Sequence, residues 1–272
     1  MLLVDGALTP SVFVLFAQQA QLFDSLFGAH GLVQGRVTVL FSDLGAAAMA
    51  TPLLIERFGL VDSTQSEATD LFSDGPVLVS ALGQRFGRGR SGADWQNADR
   101  SVAASLALQP GWPVGSTARI TLVAGLAATD VLPDSVGLKW PNDIMIGELK
   151  VGGILTEASD SVVVIGFGLN IFWASPPAGA GAVYASDPGE GHSHRIAERW
   201  ALSLLDRIAA GPEAWGRDEY LERCVTIGRV IEWAPDGSGL AVGVDDDGAL
   251  LVETDGEMQA LSSGEVRHVR SV

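Results

Sequence analysis

The alternation of apolar and polar positions changes character twice along this chain. Residues 1–56 are mostly apolar, with a helical look over residues 12–27 and a Gly/Ala-rich stretch at 45–50. From Leu60 onward, short apolar runs alternate with helical patterns. Residues 76–82 (PVLVSAL) and 101–108 (SVAASLAL) are continuous apolar runs too short for helices, and they predict buried strands. Residues 117–132 repeat apolar side chains at helical spacing and stop before Pro133. Residues 137–140, 149–156 and 161–171 predict further strands, with Gly147-Glu148 as a tight turn between the first two. Residues 195–209 and 215–224 predict amphipathic helices. Beyond Val225 the pattern shifts to short strands at 227–233, 240–244, 250–253, 259–261 and 266–269. Asp247-Gly248 and Asp255-Gly256 are hairpin signals among them. Such a cluster of short strands predicts a small SH3-like β-barrel. The expected class is α/β (α+β): an N-terminal extension (1–56), a mixed-sheet domain (57–224) and a C-terminal SH3-like domain (225–272).

Composition narrows what such a fold can do. Of 272 residues, 47% are hydrophobic and 18% charged, enough apolar matter for a real core. No run reaches the length of a membrane-spanning helix. The apolar start carries Asp5 and no basic segment, which argues against a signal peptide, and Met49 is an alternative start position. Lys+Arg 17 against Asp+Glu 33 gives a formal charge of −16, a field that repels a nucleic-acid backbone. The N-terminal extension sets Arg36 against Asp5, Asp24, Asp43 and Glu56, which does not suit a DNA-reading helix-turn-helix. Nine acidic residues against Arg229, Arg267 and Arg270 make the terminal barrel equally unsuited to nucleic acid. A lone cysteine, Cys224, can form neither an internal disulfide nor a Cys-based zinc site and fits a reducing cytoplasm. A cytoplasmic protein without membrane partner is expected, as monomer or homodimer.

The basic residues are more telling than the net charge. Fifteen of the 17 are arginine, and Lys139 and Lys150 are the two lysines. An ammonium is a compact charge with a movable pKa that a guanidinium cannot imitate, which makes two lysines so close together candidates for function. Gly87-Arg88-Gly89-Arg90-Ser91-Gly92 matches G-x-G-x-x-G, yet the next expected strand begins at Ser101 and leaves no room for the crossover helix of a dinucleotide site. Arg85, Arg88, Arg90 and Arg100 instead oppose only Asp94 and Asp99 over that stretch. Guanidinium forks on a glycine-rich loop suit a phosphate.

Lys139-Trp140-Pro141-Asn142-Asp143 falls where a strand turns. Asn142 and Asp143 there face a ligand or make a structural turn. Lys150 precedes Gly152-Gly153 inside a strand, where it can reach a phosphate or polarise a carboxyl group. Gly166 and Gly168 interrupt a strand ending at Asn170, as a planar ligand against bare backbone or a packing contact would each require. Ser63, Thr64 and Gln65 offer hydroxyls and an amide before a helix, with N-capping by Ser63 the structural alternative. Gln84 ends a strand beside the arginine loop. His192-Ser193-His194 is read as a solvated Gly-rich loop, and the histidines give no metal site.

The order Ser63-Thr64-Gln65, Gln84, GRGRSG-x-x-W (Gly87 to Trp95), KWPND (Lys139 to Asp143), KVGGIL (Lys150 to Leu155) and GFGLN (Gly166 to Asn170) resembles the biotin protein ligases of the biotin/lipoate ligase superfamily. The resemblance implies a mixed-sheet catalytic domain with a small C-terminal barrel. It also implies a two-step reaction in which biotin and ATP, with Mg²⁺, give biotinyl-5′-AMP. The acyl group then passes to a lysine of a biotin carboxyl carrier domain of an acyl-CoA carboxylase. By the same resemblance Ser63, Thr64, Gln65 and Gln84 contact biotin's ureido head, and Arg88, Gly89 and Arg90 form the loop over the adenylate. Lys150 touches the carboxyl and α-phosphate, with Arg90 and Asp143 as catalytic partners. Trp95, Lys139, Asn142 and Asn170 hold the nucleotide.

Three departures stand out. Ala93 replaces a loop arginine, Gln65 stands where asparagine is usual, and no winged helix precedes the catalytic part, which argues against a repressor. A lipoate or octanoyl transferase and a catalytically weak biotin-binding regulator are the alternatives. Cys224 lies outside every motif, which disfavours a cysteine-dependent octanoyl transfer.

Overall fold

A computed structural model describes residues 11–15, 35–41, 53–113, 115–262, 264 and 266–269. In chain order they form β1 (Ser11–Leu15), β2 (Gly35–Phe41), β3 (Leu53–Val61), α1 (Thr64–Leu71), β4 (Val77–Gln84), β5 (Arg100–Leu108) and α2 (Thr117–Thr129). There follow β6 (Val136–Lys139), β7 (Asp143–Ile146), β8 (Leu149–Ser159), β9 (Val162–Phe172), α3 (Gly191–Ala209) and α4 (Arg217–Arg223). The C-terminal strands are β10 (Val230–Trp233), β11 (Gly237–Val244), β12 (Leu250–Thr254), β13 (Glu257–Leu261) and β14 (Val266–His268). One mixed sheet has the order β1-β2-β3-β4-β5-β9-β8-β7-β6, with β1–β2 and β3–β4 parallel and the other pairs antiparallel. The small SH3-like unit is a separate antiparallel sheet, β13-β12-β11-β10-β14.

The continuous apolar strands are explained by burial on both faces. Leu78, Val102, Ala104, Leu106, Ile165 and Phe167 point one way, into a core shared with α2 and α3. Val77, Val79, Ala107 and Val164 point the other way, beneath α1. Helix α3 carries its apolar stripe at Ile196, Trp200, Leu204 and Ile208, the spacing of one helical face. Its Trp200 indole N–H donates to the Ala124 carbonyl at 3.0 Å, so the largest buried ring leaves no polar atom stranded. Because side chains alternate across a strand, Ser105, Gly166, Gly168 and Asn170 fall on the α1 side of the sheet. Past the end of α1 that face is left open.

The C-terminal unit is anchored at several backbone positions. The buried Trp140 donates to the Gly248 carbonyl at 3.0 Å, and Trp215 donates to the Asp246 carbonyl at 3.0 Å. Arg217 Nε donates to the Val244 carbonyl at 2.6 Å. The KWPND tryptophan is thereby a joint between the two sheets.

Four expectations are corrected. Residues 12–15 are strand β1, paired in parallel with β2, because a run of β-branched and aromatic residues (SVFVL) finds a partner; the rest of the expected helix, residues 16–27, lies outside the described residues. A further strand, β7, stands between the two expected at 137–140 and 149–156, so Gly147-Glu148 joins β7 to β8 and the KWPND turn joins β6 to β7. Its four residues are too few to register as a separate apolar run. His192-Ser193-His194 is the first turn of α3 and not a loop, with Ser193 and His194 buried. Ser63 occupies the N-cap position of α1 without a side-chain capping bond.

His194 Nδ1 meets the Ser80 hydroxyl at 2.8 Å between α3 and β4, beside the buried Arg57–Glu198 pair at 2.5 Å. Burial, and secondarily Arg57, push His194 down from 6.5 to about 4. Its neutral form contributes stability that is fully present above 6.5 and lost as pH falls toward 4. Burial raises Glu198 from 4.5 to about 7 against the pull of Arg57, and that contribution has the opposite sign, being lost as pH rises through about 7. Because the two oppose each other, a variant isolates the histidine. His194→Gln is expected to lose less stability than the wild type on acidification from 6.5 to 4, measured by urea unfolding at each pH. Parallel stability curves for the two proteins would contradict it.

Candidate active site

The open α1-side face carries a cleft of about 270 Å³. Its first end is built from hydroxyl and amide groups, with the Arg88–Glu157 ion pair beside them. Thr64 opens α1, and both its backbone N–H and its hydroxyl donate to Gln84 Oε1, at 2.8 and 3.1 Å. The same hydroxyl meets Ser105 Oγ at 2.8 Å. Gln65 Nε2 donates to Glu157 at 3.0 Å, while Gln65 Oε1 is buried without a partner. These hydroxyl and amide groups converge from α1, β4 and β5, a set suited to a compact neutral molecule with both donors and acceptors.

The floor explains the glycines. Trp95 lies flat over the β8–β9 backbone. A Cβ on Gly168 would stand 2.8 Å from its Cε2, and one on Gly153 would stand 3.7 Å from its Cζ3. Gly153 and Gly168 are cross-strand partners, so the indole rests on two bare residues side by side. The planar group that interrupts these strands is thus the protein's own tryptophan. Gly166 answers to Gln65, whose Oε1 would lie 3.1 Å from an added Cβ, and Gly152 to the Gly168 carbonyl at 2.7 Å.

The other end is cationic. Arg88 Nη2 pairs with Glu157 at 3.3 Å, and Arg90 Nη1 donates to Asn142 Oδ1 at 3.3 Å and to the Gly264 carbonyl at 3.1 Å. Lys150 Nζ meets Asp143 at 2.5 Å, and Lys139 stands 4.0 Å from the same carboxylate. Three local features aim these groups. The arginine loop is closed by Gly89 N–H to the Ala93 carbonyl at 2.7 Å and by Trp95 N–H to the Gly87 carbonyl at 2.9 Å. The β6–β7 hairpin presents Asn142, whose Nδ2 donates to the Ile154 carbonyl at 2.9 Å. The backbone of Lys150 is clamped by residues 179–181 through bonds of 2.9 Å on both sides. Arginine forks, two ammonium groups and one carboxylate can receive a phosphate and steady a developing anion beside it.

The cleft brings together Thr64, Gln65, Gln84, Arg88, Gly89, Arg90, Trp95, Lys139, Asn142, Asp143 and Lys150. Ser63 and Asn170 do not line it. Both are buried, with Ser63 Oγ and Asn170 Oδ1 lacking partners, and Asn170 Nδ2 donates to the Gly181 carbonyl at 3.0 Å. Ser105, Glu157, Val266 and Arg267 join the site without having been singled out in the sequence. The alternation Ser101-Ala103-Ser105 within an apolar strand was the signal for Ser105. For the others, set by tertiary packing, the sequence carried none. Among the described residues no group of three His, Cys, Asp or Glu side chains converges on a common point.

The chain matches the Biotin/lipoate A/B protein ligase family over residues 60–170 and the Biotin protein ligase C terminal domain over residues 235–269. It is 36% identical over 219 residues to the biotin--[acetyl-CoA-carboxylase] ligase of Mycobacterium tuberculosis, covering 72% of this chain and 80% of that protein. The enzyme of the same name from Paracoccus denitrificans is 33% identical over 233 residues, covering 75% and 96%. A biotin protein ligase from Aquifex aeolicus, solved in complex with biotin and ATP, shares the fold at a TM-score of 0.67 and 24% identity, covering 80% of this chain and 99% of that one.

If Gly168 is small because of Trp95, Gly168→Ala lowers the unfolding free energy by about 1–3 kcal/mol through overpacking. Most of that loss disappears in a Trp95→Ala background. A urea double-mutant cycle measures the coupling, and additive effects would refute the contact.

Proposed function

This chain belongs to the biotin protein ligase family, and from that premise we propose how its cleft performs the reaction. The activity is ATP-dependent biotin–protein ligation. In the first step a biotin carboxylate oxygen attacks the α-phosphorus of ATP. The bond to the β-phosphate breaks, pyrophosphate leaves, and biotinyl-5′-AMP forms. In the second, a lysine amine attacks the acyl carbon, an amide forms, and AMP departs with the bonding pair.

The polar end takes the ureido ring: Thr64, Gln84, Ser105 and the unpartnered oxygen of Gln65 supply the hydroxyl and amide groups that such a ring pairs with. Ser63 backs them from inside the helix start. At the other end the attack brings two anions together. An opposite charge at about 4 Å contributes about 4 kcal/mol at an effective dielectric near 20. Lys150 faces the carboxyl and α-phosphate, and Asp143 holds its ammonium at 2.5 Å until the ligand arrives. Arg88, Gly89 and Arg90 close over the mixed anhydride and keep water from it. Lys139, Asn142 and Trp95 border the nucleotide, while Asn170, buried behind the cleft, holds through Gly181 the segment that grips Lys150. Mg²⁺ enters as part of the MgATP substrate.

The observation that carries this reading is one cleft with an amide–hydroxyl end and an end rich in cations. A lipoyl or octanoyl tail has no use for the first. The acceptor is a biotin carboxyl carrier domain of an acyl-CoA carboxylase, reached in the cytoplasm. Among the described residues no helix is long and apolar enough to cross a membrane. Residues 57–224 are proposed as the catalytic unit, its sheet extended by β1, β2 and the start of β3, and residues 225–272 as the C-terminal one.

Purified protein with ATP and a biotin carrier domain is expected to label the carrier with biotin and not with lipoate or octanoate. Equal use of lipoate or octanoate would sink the assignment. Lys150→Ala is expected to slow biotin-dependent pyrophosphate release at least about tenfold, and a wild-type rate would remove Lys150 from the chemistry.

A further inference from the structure

The polar end of the cleft depends on a residue that does not line it. Glu157 follows Gly153 and Leu155 at strand spacing on β8, so it lies on the cleft face of the sheet, opposite Val164. One of its oxygens, Oε2, serves two elements at once. It accepts from Gln65 Nε2 of α1 at 3.0 Å and pairs with Arg88 Nη2 of the arginine loop at 3.3 Å. The side chains of Arg88 and Glu157 are 46% and 44% exposed, and an ion pair so open to water adds little stability. What the carboxylate can fix is the direction of the Gln65 amide.

An amide side chain carries a donor and an acceptor of nearly equal shape, so its orientation is set by what surrounds it. Gln65 is 4% exposed, and its nitrogen meets three oxygens: Glu157 Oε2 and, at 3.4 Å each, the carbonyls of Leu155 and Val164. The two carbonyl contacts are longer than an ordinary N–H···O bond, whereas the carboxylate contact falls within the usual range. Turning the amide over would set its oxygen against that carboxylate and both carbonyls. The oxygen instead faces Gly166, which lines the cleft, and a Cβ there would stand 3.1 Å from it. Among the described residues this oxygen has no partner. A buried acceptor is thus left at the wall of the cleft, with Glu157 as the main group holding it there.

Resting on the reading of this end as the ureido site, we propose that Glu157 is a positioning residue for biotin: by holding the Gln65 nitrogen it presents the Gln65 oxygen to a ureido N–H. Glu157 is absent from the cleft lining, so it acts on biotin through Gln65 and not by contact. The function of its carboxylate is affinity for the neutral ring, although the group itself is charged.

Biotin-dependent ATP–pyrophosphate exchange tests this with Glu157→Ala and Glu157→Gln. Glu157→Ala is expected to raise the KM for biotin about tenfold, with the KM for ATP and the urea midpoint at wild-type values. Glu157→Gln, whose amide oxygen can still accept from Gln65 although the charge facing Arg88 is gone, recovers most of the loss. In a Gln65→Ala background, Glu157→Ala adds no further change in the KM for biotin. The role is overturned by an unchanged biotin KM, by independent losses that multiply in the double variant, or by Glu157→Gln behaving as Glu157→Ala. A uniform loss for both substrates with a lowered urea midpoint also overturns it and marks a structural role. Calorimetry with biotin alone separates this from the parent reading. A wild type that shows no exchange, yet binds biotin more tightly than Glu157→Ala, loses the ligase assignment and keeps the positioning role. Exchange by the wild type with equal biotin binding by both proteins keeps the assignment and rejects the role.

Discussion

Positive charge has to be gathered into one cleft of a chain whose formal charge is −16, and much of the local architecture answers to that constraint. Like charges a few ångströms apart repel by amounts comparable to a whole domain's margin of stability unless something offsets them. Asp143 and Glu157 do so here, the first between neighbouring strands and the second between elements that are distant in sequence. Asp143 begins β7 and faces both lysines; Glu157 lies on β8 and links the arginine loop to Gln65. An incoming phosphate can replace these carboxylates, because it makes the same kind of interaction with the cations that they make.

Position is supplied by short turns on a rigid sheet. The arginine loop closes on itself through Gly89 and Trp95, the β6–β7 hairpin presents Asn142, and the 179–181 segment grips Lys150 by its backbone. Behind them the β8–β9 ladder is thinned to glycine where Trp95 must lie close. Two ends of different character result, one built from hydroxyls and amides and one rich in cations. A molecule with a neutral polar ring, an aliphatic stretch and an acyl phosphate matches that sequence of surfaces.

The sequence made some of this plain and hid the rest for physical reasons. Apolar runs at 76–82 and 101–108 identified β4 and β5 because strands buried on both faces leave a continuous signal. The scarcity of lysine pointed to Lys139 and Lys150, and both line the cleft. β7 was missed because four residues between two turns make no run of their own. His192 to His194 read as a loop because the glycines before them mask the start of α3, and only the packing against Ser80 shows that His194 is buried. Gly168 was legible as a place of close approach, but which plane approaches could not be read locally, since Trp95 arrives from seventy-odd residues upstream. Glu157 acts through contacts to a helix and a loop far away in sequence, which no spacing encodes.

The most direct test is a crystal structure with a non-hydrolysable biotinyl-adenylate analogue. Lys150 Nζ and the Arg90 guanidinium are expected within about 3 Å of the oxygens that replace the acyl phosphate, with the bicyclic ring against Thr64, Gln84 and Ser105 and the Trp95 indole still flat on Gly168. An analogue bound elsewhere, with Lys150 facing Asp143 alone and the polar end empty, would contradict the account.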